Sequence, residues 1–436
     1  MKYLRLISIL VLPLFFFENC SKKPTTDETL ELTRFEVLAY NVELTESDSL
    51  NKSDIKLGIA KEYNYWSKNF QNPQNNLSHI STTASFNEKV KVLSGSGSLI
   101  NLVHPIYFED NLCHVLSKGF LECKNIKNDS IVFIIDIKND DIKKYEVVRG
   151  GITYFDETII FTDAYGQIKS INSTDGSIKW EKKISFPIIS APLIYRDYIY
   201  FISADNRIFS ISLNTGEAEW SFQTIIESKS NIFSSSPVAI ENIIIAPFSN
   251  GEIIAFKYDD GTPLWSENTA KISIDSNFDI KDITANPVIS GSNIYTLSSN
   301  GRFSSNNVIN GNRNWSVDIS GSQTPTINGN QIFLIDNEAR LLCLNKNNGE
   351  IYWIKELEKY KKGNNSKNLN LWNGPYLINN LLYLISYFGD ISIFSPYTGE
   401  LILDDKLGIS NIYLPLIILN NQIFLTDAKA NIYRFQ

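Results

Sequence analysis

Short runs in which apolar and polar residues alternate recur along most of the chain. The stretch NIYTLSSNGRFSSNNV (293–308) shows the unit, because two alternating runs flank Asn300-Gly301. Alternation with a period of two predicts half-buried strands, and residues that accept positive φ between them predict a tight hairpin. The same turn position holds Lys118-Gly119, Tyr165-Gly166, Asp205-Asn206, Asn250-Gly251 and Phe388-Gly389. The pattern therefore predicts a chain built from antiparallel hairpins.

A glycine followed four residues later by a tryptophan marks each repeat. Full copies are Gly176/Trp180, Gly216/Trp220, Gly261/Trp265, Gly311/Trp315 and Gly349/Trp353, and two weaker copies are Asp129/Phe133 and Gly399/Leu403. Successive aromatic positions are 47, 40, 45, 50, 38 and 50 residues apart, which is near the period of propeller blades. We expect the glycine to form the turn before the outermost strand, and the tryptophan to cover the neighbouring blade.

A second periodic signal gives the number of repeats. An apolar run opens on a proline pair, or once on a glycine pair, at eight places: His104-Pro105, Gly150-Gly151, Ala191-Pro192, Ser236-Pro237, Asn286-Pro287, Thr324-Pro325, Gly374-Pro375 and Leu414-Pro415. Proline is tolerated at the first residue of a strand because no ladder hydrogen bond is lost there. Eight starts predict eight repeats.

The repeats predict an all-β fold, an eight-bladed β-propeller of four-stranded antiparallel blades over residues 62–436. Seven copies are full, but the last, 414–436, has room for about three strands. The alternating stretch SFNEKVKVLSG (85–95) lies just before the first copy, and we expect it to complete the last blade and close the ring. Residues 63–79 then form an ordered loop into the ring, and 21–61 form a tether and an extended arm.

The first twenty residues indicate export. Two basic residues precede an apolar run, Leu6–Phe17, that is too short to span a bilayer, and Cys20 follows soon after. A cysteine at this place predicts a lipoprotein signal peptide, residues 1–20, cleaved before an acylated Cys20. The alternative is cleavage elsewhere, which gives a soluble periplasmic protein without Cys20.

Charge and motifs exclude several functions. The net charge is −8 and the pI about 5.2, which argues against a nucleic-acid surface. The chain has three histidines and no hydrolase, zincin or P-loop motif. Residues 275–286 resemble a calcium loop, but Ile280 stands where glycine is needed. We therefore predict no catalytic residues, no metal site and no cofactor.

Cysteine positions leave one disulfide open. Cys123 and Cys343 occupy a column that holds Ser or Ala in other copies, which indicates a small residue packed in a sheet. Cys113 lies on the preceding strand. A two-residue turn at Lys118-Gly119 would pair Cys113 with Lys124, whereas a bulged turn would pair it with Cys123 and allow a disulfide. No CxxC motif is present, which excludes a zinc ribbon.

Loop length indicates a binding rim. Two connections, Trp265 to Pro287 and Trp353 to Pro375, take 22 residues each and are longer than the others. Long loops on one rim of a rigid ring are a usual place for binding. The second contains the basic, Asn-rich stretch 356–372, which ends at Trp372. Its alternative interpretation is a solvated loop.

The Gly-x-x-x-Trp copies resemble the quinoprotein-type, or PQQ-like, propeller repeat. Together with the lipoprotein-like start and eight copies, they are similar to the outer-membrane protein assembly factor B family, most specifically at 320–357 and 372–400, which look like its alphaproteobacterial type. The resemblance implies a non-enzymatic scaffold on the periplasmic face of the outer membrane. It implies two partners: the central barrel-insertion subunit, and unfolded barrel precursors presented by strand addition.

The resemblance also implies a docking surface. The acidic loop of the family corresponds to 279–286, where Asp279 and Asp282 are acidic and Thr284 replaces a second aspartate. The basic loop corresponds to 229–235, where Lys229 replaces an arginine. Two alternatives remain: a propeller that binds another periplasmic partner, including a sensor ectodomain, and a quinone-dependent dehydrogenase. Those enzymes are usually longer and have adjacent cysteines and a calcium site with an aspartate base, which this sequence lacks.

Overall fold

The computed structural model of the protein describes residues 44–95, 103–116, 119–138, 150–226, 235–269, 283–299, 301–361 and 368–436. Residues 44–436 form one compact unit. Within the described ranges, regular structure consists of β-strands and one short 3-10 helix, Lys52–Asp54. The strands form eight four-stranded antiparallel sheets, which are the blades of an eight-bladed β-propeller. The predicted fold class and blade number are therefore confirmed.

Blades are numbered along the chain. The strands are β1 (Lys89–Leu93); in blade 1, β2 (Ile106–Phe108), β3 (Asn111–Leu116), β4 (Phe120–Asn125) and β5 (Ile131–Asp136); in blade 2, β6 (Gly151–Phe155), β7 (Thr158–Thr162), β8 (Gln167–Asn172) and β9 (Ile178–Lys183); in blade 3, β10 (Leu193–Tyr195), β11 (Tyr198–Ser203), β12 (Arg207–Ser212) and β13 (Ala218–Gln223); in blade 4, β14 (Val238–Ile240), β15 (Ile243–Pro247), β16 (Glu252–Lys257) and β17 (Pro263–Asn268).

The remaining blades follow the same order. Blade 5 has β18 (Val288–Ser290), β19 (Asn293–Leu297), β20 (Phe303–Asn307) and β21 (Arg313–Val317); blade 6 has β22 (Thr326–Asn328), β23 (Gln331–Ile335), β24 (Arg340–Asn345) and β25 (Ile351–Glu356); blade 7 has β26 (Trp372–Ile378), β27 (Leu381–Ser386), β28 (Asp390–Phe394) and β29 (Leu401–Lys406); blade 8 has β30 (Ile417–Leu419), β31 (Gln422–Thr426), β32 (Ile432–Phe435) and β1.

The last blade is closed by the N-terminal strand. β1 pairs antiparallel with β32, with Lys89 opposite Phe435 and Lys91 opposite Tyr433. The prediction that residues 85–95 complete the last blade is therefore confirmed. Because this strand fills the outer position of blade 8, distant parts of the chain hold the ring shut.

The hydrophobic core is divided among the interfaces between blades. Each of eight buried clusters joins two neighbouring blades, from blades 1 and 2 through to blades 8 and 1. At the seam, Tyr107 and Leu112 of blade 1 pack with Leu419 and Phe424 of blade 8. Adhesion between blades thus provides most of the buried apolar surface, as expected for a repeat architecture.

The repeated glycine and tryptophan belong to this adhesion. Each glycine of the column, from Gly176 to Gly399, has a positive φ in the turn before the fourth strand, as predicted. Each tryptophan lies against the glycine turn of the next blade, and its Nε1 donates a hydrogen bond to a carbonyl oxygen three residues before that glycine. The pairs are Trp180–Leu213 (3.0 Å), Trp220–Tyr258 (3.1 Å), Trp265–Val308 (2.8 Å), Trp315–Lys346 (3.0 Å) and Trp353–Pro396 (3.1 Å).

Glycine is required here for a second reason. A Cβ atom built on Gly261 would lie 2.4 Å from Cδ2 of Trp220, and the other glycines meet the preceding blade's aromatic ring at 2.6–2.8 Å. Each ring therefore occupies the space that a side chain would need. The predicted covering of one blade by the tryptophan of its neighbour is confirmed.

The disulfide alternative is the correct one. Cys113 and Cys123 are direct partners on β3 and β4 and form a disulfide, with Cα atoms 4.1 Å apart. The two-residue turn that pairs Cys113 with Lys124 is therefore wrong, because pairing ends at Leu116 opposite Phe120 and three residues lie between the strands. Cys343 is a free, buried thiol opposite Trp353, in the small-residue column as predicted.

A segment of extended chain, residues 58–84 and here called the arm, crosses the centre of the ring. Residues 58–84 form hydrogen bonds to the first strand, or to the turn after it, in blades 1, 2, 4, 5, 6, 7 and 8. The bonded groups are Trp66 and Tyr107, Ser67 and Tyr154, Pro73 and Ala239, Gln74 and Ile289, Ser78 and Asn328, Ile80 and Leu377, and Tyr63 and Asn420. The first strands of a propeller line its central channel, so the arm closes one mouth of this channel. The predicted ordered loop, 63–79, is confirmed as part of it.

Candidate docking face

Strand direction divides the connections of the ring between two faces. In blades 1 to 7, the turns after the first and third strands lie on the face that carries residues 58–84, here called the arm face. The turns after the second strand and the connections to the next blade lie on the opposite face, here called the loop face. The backbone N–H of Thr224, just after β13, accordingly donates to the carbonyl of Asn206 in the β11–β12 turn at 3.1 Å. Both 22-residue connections belong to the loop face.

Seven exposed apolar side chains of the described residues lie on the loop face. They are Phe186, Ile225, Ile226, Tyr360, Leu369, Leu371 and Tyr413. Single exposed apolar residues are normal, but several on one face indicate an interaction surface. The three from the connection between blades 6 and 7 are close in sequence and share one element.

That element is a small hairpin, formed by residues 359–361 and 368–371 and here called the blade 6–7 hairpin. Tyr360 and Leu369 form an antiparallel bridge. The backbone N–H of Lys361 donates to Asn368 O at 3.0 Å, and that of Asn370 donates to Lys359 O at 2.9 Å. The stretch singled out in the sequence is thus an ordered element on both sides of residues 362–367, which lie outside the described ranges.

The base of the hairpin is fixed to the ring. Trp372 is buried, and its Nε1 donates to Glu358 O at 3.1 Å. Lys359 Nζ lies 2.6 Å from Glu338 Oε2, and this contact lowers the pKa of Glu338 and raises the pKa of Lys359. Lys361 lies 4.6 Å above the ring of Phe388. A rigid base with an exposed apolar surface is suited to binding a macromolecule.

Of the docking residues expected from the resemblance, Lys229, Asp279 and Asp282 lie outside the described ranges. Thr284 lies within them, and its Oγ1 is buried without a hydrogen-bond partner among the described residues. The ends of the two loops meet: Ser235 Oγ donates to Ile283 O at 3.0 Å, and Ser236 N donates to Asn286 Oδ1 at 2.9 Å. The C-terminal ends of the basic and acidic loops therefore meet at the blade 4–5 junction.

A polar network that the sequence did not reveal stiffens the neighbouring part of the loop face. Asn206 Oδ1 accepts hydrogen bonds from the backbone N–H of Ser249 at 3.1 Å and from its Oγ at 2.7 Å, which ties blade 3 to blade 4. Glu252 Oε2 accepts from Thr224 Oγ1 at 2.5 Å and from Asn250 Nδ2 at 2.6 Å. The signal available in the sequence was the Asn at the turn position, which we interpreted only as a turn residue.

Two buried basic groups lie near the centre of the ring. Lys68 is buried, burial lowers its pKa to about 7, and its Nζ donates to Asn75 Oδ1 at 2.8 Å. His104 is buried at the seam, where its ring nitrogens lie 2.8 Å from Pro105 O and 3.3 Å from Pro415 O. Burial lowers the pKa of His104 to about 4, against the opposing effect of these carbonyls. Both groups belong to the packing of the ring.

Groups suited to chemistry are sparse in the described part of the chain. No cluster of three or more His, Cys, Asp or Glu side chains there could hold a metal ion. His114 pairs with Glu122 at 3.2 Å and lowers the pKa of that carboxyl, but the pair lies within blade 1. Burial raises the pKa of the Cys343 thiol. Among the described residues, no helix is long and apolar enough to cross a membrane.

Comparison with known families identifies one match. The model of the family described as outer membrane protein assembly factor BamB matches residues 127–355, slightly more than half of the chain. One similar relative is an uncharacterized protein of Rickettsia prowazekii, 19% identical over 60% of this chain and 63% of its own length. Another is the assembly factor BamB of Escherichia coli, 18% identical over 78% of this chain and 86% of its own length.

Solved structures show the same fold. The crystal structure of BamB from Moraxella catarrhalis matches with a TM-score of 0.66 and 16% identity, over 81% of this chain and 99% of the other. The quinohemoprotein alcohol dehydrogenase of Comamonas testosteroni also matches with a TM-score of 0.66, at 12% identity, over 86% of this chain and 81% of the other. At these identities the likeness shows the fold alone, because proteins with different functions share this fold.

Proposed function

Because the chain belongs to the family of the outer membrane protein assembly factor BamB, we propose that it is a non-enzymatic scaffold of the machinery that inserts β-barrel proteins into the outer membrane. In this role the ring docks to the central barrel-insertion subunit through its loop face. Unfolded barrel precursors are the second partner, as an added strand is a natural ligand for a protein rich in sheet edges.

The observation that carries the proposal is the division of labour between the two faces of the ring. The arm face carries the protein's own residues 58–84, while the loop face holds the long connections and the three exposed apolar side chains of the blade 6–7 hairpin. A rigid ring that keeps one face free for loops is suited to holding a partner. The described residues contain no group of three or more His, Cys, Asp or Glu side chains that could hold a metal ion.

The cellular address is part of the proposal. Residues 1–20 are a lipoprotein signal peptide, and acylated Cys20 anchors the protein at the periplasmic face of the outer membrane. The buried disulfide between Cys113 and Cys123 supports export, because disulfides persist in oxidising compartments such as the periplasm. Mass spectrometry of the mature N-terminus tests this part: a diacyl or triacyl Cys20 is expected, and an unmodified terminus downstream would contradict it.

Docking residues are proposed at both ends of the loop face. Lys229, Asp279, Asp282 and Thr284 lie on the two loops whose C-terminal ends meet at the blade 4–5 junction. The blade 6–7 hairpin is a second contact with three exposed apolar side chains, Tyr360, Leu369 and Leu371. Charge at the first contact steers association, while apolar burial at the second slows dissociation.

Co-purification from detergent-solubilised envelopes tests the docking. The tagged full chain should retain the central barrel-insertion subunit, and Tyr360→Ser combined with Leu371→Ser should lower the retained amount at least about tenfold, since each buried apolar side chain adds about 1.5–3 kcal/mol. Phe155→Ser is the matched control, because Phe155 is equally exposed but ends β6 on the arm face. Recovery of another envelope protein instead of the insertion subunit would favour the alternative, a propeller that serves a different partner.

The enzymatic alternative has its own test. The dehydrogenase fold match is a specific reason to measure alcohol oxidation with added pyrroloquinoline quinone and calcium. We expect no turnover above the rate without protein. Saturable, quinone-dependent turnover would replace the scaffold proposal by an oxidoreductase.

A further inference from the structure

The column of covered side chains stops at blade 7. Leu403 holds the tryptophan position of this blade and is 47% exposed. Where this position holds tryptophan, in blades 2 to 6, it is covered by the turn between the third and fourth strands of the next blade. Blade 8 has no such turn, because its fourth strand, β1, comes from a distant part of the chain. The way the ring closes therefore leaves the outer strand of blade 7 uncovered.

This outer strand, β29, exposes an unbroken run of apolar residues. All six of its residues are exposed, and Leu401 and Ile402 are 54% and 55% exposed beside Leu403. Edge strands of soluble proteins are commonly protected by charge. In blade 2 the corresponding strand, β9, reads IKWEKK and is protected in this way. The outer strand of blade 1, β5, is also apolar and exposes Ile131 and Ile134, but among the described outer strands only β29 has three consecutive exposed aliphatic residues.

The neighbouring blade shows how such an edge takes an extended segment. The backbone N–H of Ser47 donates to Ile351 O on β25 at 2.9 Å, and the N–H of Ile354 donates to Glu46 Oε1 at 3.1 Å. Leu44 and Leu50 pack against the adjoining clusters. The protein's own chain therefore covers the edge of blade 6, whereas no described residue covers the edge of blade 7 in this way.

Charge at the site selects the occupant. A groove of about 730 Å³ separates β25 from blade 7, and it is lined by five carboxylates, Glu356, Glu358, Asp390, Glu400 and Asp404, against two lysines, Lys355 and Lys359. Asp404 pairs with Ser392, and both line this groove. Leu403 pairs with Ile393, which is two residues from Ile391 in the blade 7–8 core, so Leu403 lies on the opposite face of the sheet. The two faces of an added strand would thus meet acid on one side and apolar surface on the other.

We propose that β29 accepts an extended segment of another polypeptide as a fifth strand of blade 7. Its basic side chains face the acidic groove, and its alternate apolar side chains cover Leu403. The inference deepens the proposed function, because it gives strand addition a site on the outer wall of the ring, away from the loop face. It rests on the proposed function only for the identity of the added polypeptide.

Fluorescence anisotropy of a labelled twelve-residue peptide of alternating valine and lysine, mixed with the chain from residue 21 to 436, tests the site. We expect saturable binding that weakens at least about tenfold in Leu403→Lys, which removes one buried apolar contact and adds a repulsive charge. Ile178→Lys is the matched control, because Ile178 is an exposed aliphatic residue on the outer strand of blade 2, and it should change the affinity less than about twofold. Ile402→Lys repeats the test if Leu403→Lys does not fold.

Three outcomes would overturn the proposal. One is equal binding by the parent chain and by Leu403→Lys. Another is undiminished binding of the same peptide N-methylated at alternate residues, since that peptide keeps its charges but cannot pair with a strand. The third is a different occupant: a concentration-dependent dimer that Leu403→Lys abolishes, or a gain in peptide affinity when residues 21–43 are removed. Leu403→Lys should still co-purify with the insertion subunit, because that docking uses the loop face. This measurement therefore distinguishes failure of the peptide site on β29 from failure of the proposed function.

Discussion

Replacing one glycine of the repeat tests the claim that the preceding tryptophan, and not the turn alone, requires glycine. Gly261 has φ of 69°, and a Cβ atom there would lie 2.4 Å from Trp220 Cδ2. Gly291 has φ of 65°, yet nothing lies within 4 Å of its Cβ position. Gly261→Ala and Gly291→Ala therefore share the backbone strain and differ in the steric contact.

The expected magnitudes follow from these two distances. Left-handed backbone costs an alanine about 1–2 kcal/mol, which is the full expected effect of Gly291→Ala. In Gly261→Ala the ring of Trp220 must also move by about 1 Å, because carbon atoms pack at about 3.5–4.0 Å. Overpacking of this kind costs about 1–3 kcal/mol, and a weakened bond from Trp220 Nε1 to Tyr258 O adds about 1 kcal/mol. We expect a total loss of about 3–6 kcal/mol.

Urea unfolding followed by tryptophan fluorescence measures the difference, with the slope of the transition checked for each variant. A second variant, Trp220→Leu, makes room for the added methyl group, so Gly261→Ala should cost less in the Trp220→Leu background. The reasoning is refuted if Gly261→Ala and Gly291→Ala lose the same free energy within about 0.5 kcal/mol, or if Trp220→Leu brings no relief.

Three further predictions concern the disulfide, the seam and the arm. The double variant Cys113→Ala/Cys123→Ala should lose about 2–3 kcal/mol of unfolding free energy, and a reducing agent should destabilise the parent chain but not the variant. In the folded protein the pKa of His104 is about 4, below its ordinary value of 6.5. The unfolded chain therefore binds the proton first, and the free energy of unfolding falls as the pH drops from about 6.5 to 4. Urea titrations at pH 7 and pH 5 should show a smaller loss in His104→Gln than in the parent chain, and an equal loss would contradict the prediction. His79 is buried and bridges Gly58 O at 2.7 Å and Asn380 N at 2.9 Å, so His79→Ala should cost about 2–3 kcal/mol and speed proteolysis of residues 58–84, whereas slow, parent-like cleavage would speak against it.

Most of the architecture could be predicted from the sequence, because the signals that define a blade lie close together along the chain. Apolar–polar alternation, turn residues and the proline pairs recur from blade to blade, so the number of blades and the closing strand at 85–95 could be predicted. The steric partner of Gly261 could not, because Trp220 lies on another blade. Left-handed turn residues Ala339 and Ala430 also escaped prediction, since alanine rarely takes this conformation.

Long-range geometry limited the prediction of the site. The pairing of Cys113 with Cys123 depended on the number of turn residues, which composition does not determine. The path of residues 58–84 depends on contacts with seven blades and has no local signature. The exposure of Leu403 follows from the missing turn in blade 8, a property of ring closure. The long blade 6–7 connection was singled out because loop length is visible in the sequence, but its hairpin was not predicted.

Ring closure by β1 also sets the order in which the chain can mature. The closing strand, Lys89–Leu93, is synthesised long before its partner, Ile432–Phe435. During synthesis it stays unpaired while seven blades follow it, so a chaperone that shields exposed strands has a long period in which to act. A proteolytic cut within residues 89–93 would open blade 8 even after every other blade has formed. Closure of the whole ring thus depends on five residues, 89–93.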